Sequence, residues 1–149
     1  MAFNILIVDD SVTMRALVKR VVEMSGITIG ELLQAENGRE ALDLLDEHWV
    51  DVVLCDINMP VMNGIEMLRR LRASEVDHNM PVIFITTEGG ERAKAEARVL
   101  GAAGYVKKPF VPEVIREVVL KALEEAYGAE ELTAGMGGSE SAAEEDMDF

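Results

Sequence analysis

Carboxylates sit where two apolar runs end. Asp9 and Asp10 close the run Phe3–Val8, and Asp56 closes Val52–Cys55. A carboxylate just past a buried strand lies at the open mouth of an α/β sheet, where such folds place their ligands. Three carboxylates gathered there repel one another by about 4 kcal/mol per pair at 4 Å and an effective dielectric of about 20. A cation relieves that repulsion. The natural tenant is a hard divalent ion held by oxygen ligands, which suits phosphate chemistry.

The elements that must position these groups alternate regularly. A strand over Phe3–Val8 is followed by a helix from Val12 to about Ser25, capped by Asp10 or Ser11, with Met14, Leu17, Val18, Val21 and Val22 at helical spacing and Gly26 as its stop. A second strand is expected over Leu32–Glu36, a turn at Asn37-Gly38, and a helix over Arg39–His48 with Ala41, Leu42, Leu44 and Leu45 inward. Strand three, Val52–Asp56, leads through the Pro60 loop to a helix from Gly64 to about Ala73. Strand four is Pro81–Ile85, helix four about Glu91–Leu100, strand five Gly104–Val106, and helix five Pro112–Tyr127 with Pro112 at its first position. Continuous apolar strands between amphipathic helices predict an α/β fold: a doubly wound, five-stranded parallel sheet covered on both faces. Right-handed crossovers leave few topologies. The order 2-1-3-4-5 puts strands one and three side by side, so that Asp9, Asp10 and Asp56 converge.

The chain has 149 residues and a net charge of −14, with one cysteine. That is the size of one domain plus a tail: residues 1–127, then an acidic segment 128–149 that reads as disordered. The segment carries seven acids and no base, half of the net charge. The remaining negative charge argues against nucleic acid as a ligand. A single cysteine forbids an internal disulfide, and no signal peptide or long apolar stretch is visible, so a cytoplasmic protein without membrane insertion is expected.

Four motifs in order, each at a strand end, resemble the receiver domain of two-component response regulators, of the single-domain chemotaxis type: Leu6-Ile7-Val8-Asp9-Asp10-Ser11, then Asp56 through Gly64, then Thr86, then Lys107-Lys108-Pro109-Phe110. The match covers about residues 3–127. The resemblance implies that Asp56 accepts a phosphoryl group from a histidine kinase. It implies that Mg²⁺ (Mn²⁺ could substitute) is held by Asp10, Asp56 and the backbone carbonyl of Asn58, with Asp9 helping through water. Lys108 would set its ammonium against the phosphoryl oxygens; it precedes Pro109 directly, and Lys107 should point to the other face. A cis Lys108–Pro109 bond is expected. Thr86 and Tyr105 would form the switch: the Thr86 hydroxyl moves toward the phosphoryl group and the Tyr105 ring turns inward. The output face implied is helix four, strand five and helix five, with Arg92, Lys94, Arg98, Tyr105, Lys107 and Lys121. The partners implied are a histidine kinase and a flagellar motor switch protein or other protein target, met by a monomer. Thr87 stands where many members carry alanine, and its bulk could slow the entry of water. On this reading the chain is no enzyme beyond its own phosphorylation and dephosphorylation.

Plainer readings compete residue by residue. Asp9-Asp10 taken alone could cap a helix, Asp56 could form a turn, Thr86 could be a strand-end hydroxyl, Tyr105 an edge aromatic and Lys108 a surface charge. Cys55 reads as a core residue, His48 and His78 as solvated, Trp49 as packed under helix two. Met14, Met24, Met67 and Met80 read as core or near-core, and Met59 and Met62 as loop. A phosphorelay intermediate or phosphate sink would use the same residues. Asp9-x-Ser11-x-Thr13 also fits a phosphatase of the haloacid dehalogenase type, but that chemistry needs an acid where Ser11 stands. A flavodoxin-like binder would have its flavin phosphate repelled by Asp9 and Asp10.

Overall fold

A computed structural model describes residues 2–128. The acidic segment anticipated at 128–149 lies outside the described residues, apart from Gly128. The elements are β1 (Phe3–Val8), α1 (Val12–Glu23), β2 (Ile29–Ala35), α2 (Gly38–Glu47), β3 (Val52–Cys55), α3 (Gly64–Arg72), β4 (Val82–Thr86), α4 (Glu91–Val99), β5 (Gly104–Lys107) and α5 (Pro112–Tyr127). The five strands are parallel, as the alternation predicts, and lie in the order β2-β1-β3-β4-β5, one of the few topologies left open and the one the resemblance implies.

Strand side chains alternate between the two faces and build two cores. Phe3, Ile5 and Ile7 of β1, with Val52, Leu54, Ile83 and Ile85, pack under α1 and α5. Leu6, Val8, Val53, Cys55, Val82 and Phe84 pack under α2, α3 and α4. Because both faces are covered, the central strands carry no polar alternation. Ser11, Asn37 and Asn63 cap α1, α2 and α3, each accepting from a backbone N–H three residues on. The Ser11 cap starts α1 immediately beyond the strand end that carries Asp9 and Asp10.

Several expectations need correction. β2 begins three residues earlier than Leu32. Its edge position leaves Gly30 and Glu31 unmarked by hydrophobicity, and the Asn4 side chain enters the ladder there, accepting from the Glu31 N–H at 2.8 Å. Leu17 and Met24 face outward, the latter 74% exposed, because the apolar stripe of α1 is satisfied by Val18, Val21 and Val22. Met62, on a loop, is nonetheless buried in the core. Trp49 does not pack under α2: it is 60% exposed and stacks on His78. Lys108–Pro109 is cis.

Candidate functional site

Strand register alone brings the acids together. Val8 of β1 pairs with Cys55 of β3, so Asp9 and Asp56 are the next residues on adjacent strands. The Asp56 N–H donates to the Val8 carbonyl at 2.9 Å, and the Asp9 N–H to the Ala35 carbonyl at 3.1 Å. Two strands away, Thr86 pairs with Lys107, and the Lys108 N–H donates to the Thr86 carbonyl at 2.8 Å. That bond carries the Lys108 side chain back across the sheet edge. Its Nζ donates to Asp9 Oδ2 at 2.8 Å and lies 3.3 Å from Asp56 Oδ2. Residues separated by 99 and 52 positions in sequence thus form one charged cluster.

The cluster is held firmly. The second Asp9 oxygen accepts from the Ser11 N–H at 2.8 Å, and that of Asp56 from the Ile57 N–H at 2.6 Å. Asp9 is 4% and Asp56 8% exposed, whereas Asp10 is open to solvent. Burial is the largest influence on Lys108 and pulls its pKa down. The hydrogen bond to Asp9 and the charges of Asp56 and Asp9 outweigh it, so the ammonium holds its proton above the ordinary lysine range. Cys55 is pushed well above the usual thiol value by burial, then by the charges of Asp56 and Asp9, so it is an inert core thiol.

Asp9, Asp10 and Asp56 each offer an oxygen within 4.8 Å of the others. An all-oxygen set with one solvent-facing member suits a hard divalent ion that keeps part of its water. Asn58 is exposed two residues beyond Asp56. Ser11, where a phosphatase of the haloacid dehalogenase type would need an acid, spends its hydroxyl on the Met14 N–H as the α1 cap.

Thr86 is fully buried at the end of β4, and its Oγ1 accepts from the Glu88 N–H at 3.1 Å. The Tyr105 hydroxyl donates to the carbonyl of the same residue at 2.6 Å. One backbone unit therefore joins the two. The Tyr105 ring is 2% exposed, with its edge against Phe84 and Lys94 Nζ 5.9 Å from its centre. Among the output-face residues anticipated from sequence, Arg92, Arg98, Lys107 and Lys121 are exposed and Lys94 partly so, but Tyr105 is a core side chain here. Its hydroxyl finds a carbonyl inside, so the ring need not stay out. Lys107 lies along the β4–α4 loop; a Cβ on Gly89 would sit 3.0 Å from its Nζ.

The supporting roles of three residues escaped the sequence reading. Arg15 donates to the Asp9 carbonyl and to Gln34 Oε1, tying α1 to the acidic end of β1. Glu88 bridges Thr86 and Tyr105 through its backbone, which no side-chain motif could announce. Gly64 lies against the Asp56 carbonyl: an added Cβ would fall 2.2 Å from that oxygen. Its place at the start of a helix after the Asp56 loop was a signal, but the contact was not visible.

Known proteins are similar to this chain in sequence and fold. The family model described as the response regulator receiver domain matches residues 5–120. The chain is 40% identical over 142 residues to a chemotaxis protein CheY homolog of Campylobacter jejuni, covering 95% of this chain and 99% of that protein. It is 39% identical over 125 residues to the chemotaxis protein CheY of Pseudomonas aeruginosa, covering 84% and 99%. Among solved structures, Vibrio cholerae CheY4 superposes with a TM-score of 0.74 at 33% identity, over 83% of this chain and all of that one. A chain of the CheX–CheY–BeF3–Mg complex of Borrelia burgdorferi superposes with a TM-score of 0.73 at 31% identity, over 80% and 87%.

Proposed function

This chain belongs to the response regulator receiver family, and from that premise we propose that Asp56 is its phosphoacceptor, in a switch that serves chemotaxis through protein partners. The observation that carries the assignment is the Lys108 ammonium, which reaches both Asp9 and Asp56 across the sheet edge. A carboxylate beside a fixed cation can attack phosphorus as the negative charge of the incoming group is met by the ammonium. The Asp56 oxygen forms the bond to phosphorus, and the bond from phosphorus to the donor nitrogen of a phosphohistidine breaks, leaving a histidine. The receiver unit we assign is residues 1–127.

Asp10, Asp56 and the Asn58 carbonyl would hold Mg²⁺, with Asp9 supporting through water. Bound there, the ion would neutralise carboxylate charge and polarise phosphoryl oxygens. The remaining work falls to the chain. Lys108 stays protonated to meet the phosphoryl oxygens. Thr86, whose hydroxyl is within one backbone unit of Tyr105, turns its hydroxyl toward them. Doing so releases the Glu88 N–H, and the β4–α4 loop that also anchors Tyr105 relaxes. A local bond exchange thereby biases the surface of α4, β5 and α5, where Arg92, Lys94, Arg98, Lys107 and Lys121 form a basic face for an acidic or amphipathic target. The relatives are named as chemotaxis proteins, and the family resemblance supplies the partners of this reading: a histidine kinase as donor and a flagellar motor switch protein as target.

Treatment with acetyl phosphate and Mg²⁺, followed at once by intact mass measurement, tests the assignment; in a parallel sample borohydride reduces the aspartyl phosphate to homoserine with release of phosphate, which marks the residue. One phosphoryl group is expected on the wild-type chain and none on Asp56→Asn. Equal labelling of that variant would remove Asp56 from the role.

A further inference from the structure

The largest aromatic side chain of this protein stands in solvent, and it is held there. Trp49, the only tryptophan, follows α2 at the opposite end of the sheet from Asp56 and is 60% exposed. Three contacts fix it. Its Nε1 donates to Asp51 Oδ1 at 3.1 Å, and Asp51 is itself buried and bonded to the Asn4 N–H at 2.7 Å. Its carbonyl accepts from Asn4 Nδ2 at 2.9 Å. Its indole lies parallel to the His78 imidazole, with ring centres 3.8 Å apart and planes 9° apart. His78 in turn meets the Val50 carbonyl at 3.0 Å. An apolar ring left in water at a fixed angle gains little for folding, but it loses little entropy on binding.

The two rings form one wall of a cavity of about 390 Å³ between the α2–β3 and α3–β4 connections. Its other lining groups include Asp46, Glu47, Glu75 and Asp77. Arg72 pairs with Asp77 at 2.9 Å, but among the described residues no ion pair engages Asp46, Glu47 or Glu75. Among the described residues no lysine or arginine lines the cavity. A pinned indole rimmed by unpaired carboxylates is complementary to one kind of group: a cation with a planar or apolar body, which stacks on the ring and pairs with the rim.

We propose that this cavity docks a basic segment of a partner protein, seating an arginine side chain against Trp49 with its guanidinium directed to Glu47 and Glu75. The site is separate from the acidic cluster at Asp56, so a partner could hold the chain here while the other end is phosphorylated.

Because Trp49 is the sole tryptophan, its fluorescence reports this site alone. The probe is an amidated Arg-Gly-Arg-Gly-Arg peptide at near-physiological salt, with Gln-Gly-Gln-Gly-Gln as its neutral counterpart. A saturable change is expected with the arginine peptide and none with the glutamine peptide. The double variant Glu47→Gln, Glu75→Gln should bind about fivefold more weakly, since two exposed ion pairs are removed, while it melts and is phosphorylated like the wild type. Net charge alone is tested with Glu124→Gln, Glu125→Gln on the exposed end of α5. The proposal falls if the arginine peptide gives no saturable change, or if the α5 variant weakens binding as much as the rim variant does.

Discussion

Replacing Lys108 with methionine keeps the side chain's length and apolar stem and deletes its charge. The ammonium lies 2.8 Å from Asp9 Oδ2 and 3.3 Å from Asp56 Oδ2, and all three side chains are about nine-tenths buried. At an effective dielectric of about 20 these separations correspond to gross attractions of about 6 and 5 kcal/mol. Desolvation of the three ions offsets much of this, at several kcal/mol each. What the substitution leaves behind decides the outcome. Two buried carboxylates remain within 4.8 Å of each other, with a mutual repulsion of at least about 3 kcal/mol and no cation between them. Removing one partner of a buried pair costs about 3–5 kcal/mol, and we expect Lys108→Met to fall in that range in EDTA. For a domain of this size that is a loss of about 10–20 °C in melting temperature, read by circular dichroism. Millimolar Mg²⁺ should then stabilise the variant more than the wild type, because ion and ammonium draw on the same oxygens. A loss below about 1 kcal/mol, or an equal Mg²⁺ shift in both proteins, would refute the view that one cation site is shared.

Two further outcomes are expected. Gly64→Ala forces a Cβ toward the Asp56 carbonyl, 2.2 Å away, and the Phe84 ring at 3.0 Å. It should cost about 1–3 kcal/mol in urea unfolding and slow phosphorylation by acetyl phosphate, because the strain falls on the backbone that aims Asp56; an unchanged rate would separate the packing from the site. The Tyr127 hydroxyl donates to the Asp51 carbonyl at 2.6 Å, and burial, then the Asp51 charge, raises its pKa well above 10. A folded pKa above the unfolded one gives stability that is complete below about pH 10 and declines as pH rises above it. Alkaline melting curves should therefore fall more steeply for the wild type than for Tyr127→Phe, and parallel curves would contradict the assignment.

The sequence carried the architecture because each element stated its own environment. The short uninterrupted apolar run Ile5–Val8 reads as a strand covered on both faces, and Ser11, Asn37-Gly38 and Gly64 mark helix starts that the structure closes with local cap hydrogen bonds from Ser11, Asn37 and Asn63, which need no distant partner. The convergence of Asp9, Asp10 and Asp56 at strand ends followed from the same pattern and that of Lys108 from the family resemblance, in both cases without distances. β2 was blurred for the opposite reason: its edge position satisfies it with Gly30, Glu31 and an intruding Asn4, none of which has a strand's signature.

Tertiary structure alone decided what depends on contacts between remote backbones. That Lys108 grips both acids follows from the β4–β5 register and the turn of its side chain, not from its sequence neighbours. That Tyr105 lies inside follows from a carbonyl of Glu88, and backbone groups are the same in every residue, so no spacing rule could single one out. Trp49 shows the same limit from the other side. Hydrophobicity says an indole should be covered, but a buried carboxylate at Asp51 and a ring at His78 hold it in the open. Local pattern determines which face of an element is apolar; only the assembled chain determines which polar partners are within about 3 Å, where hydrogen bonds are made or lost.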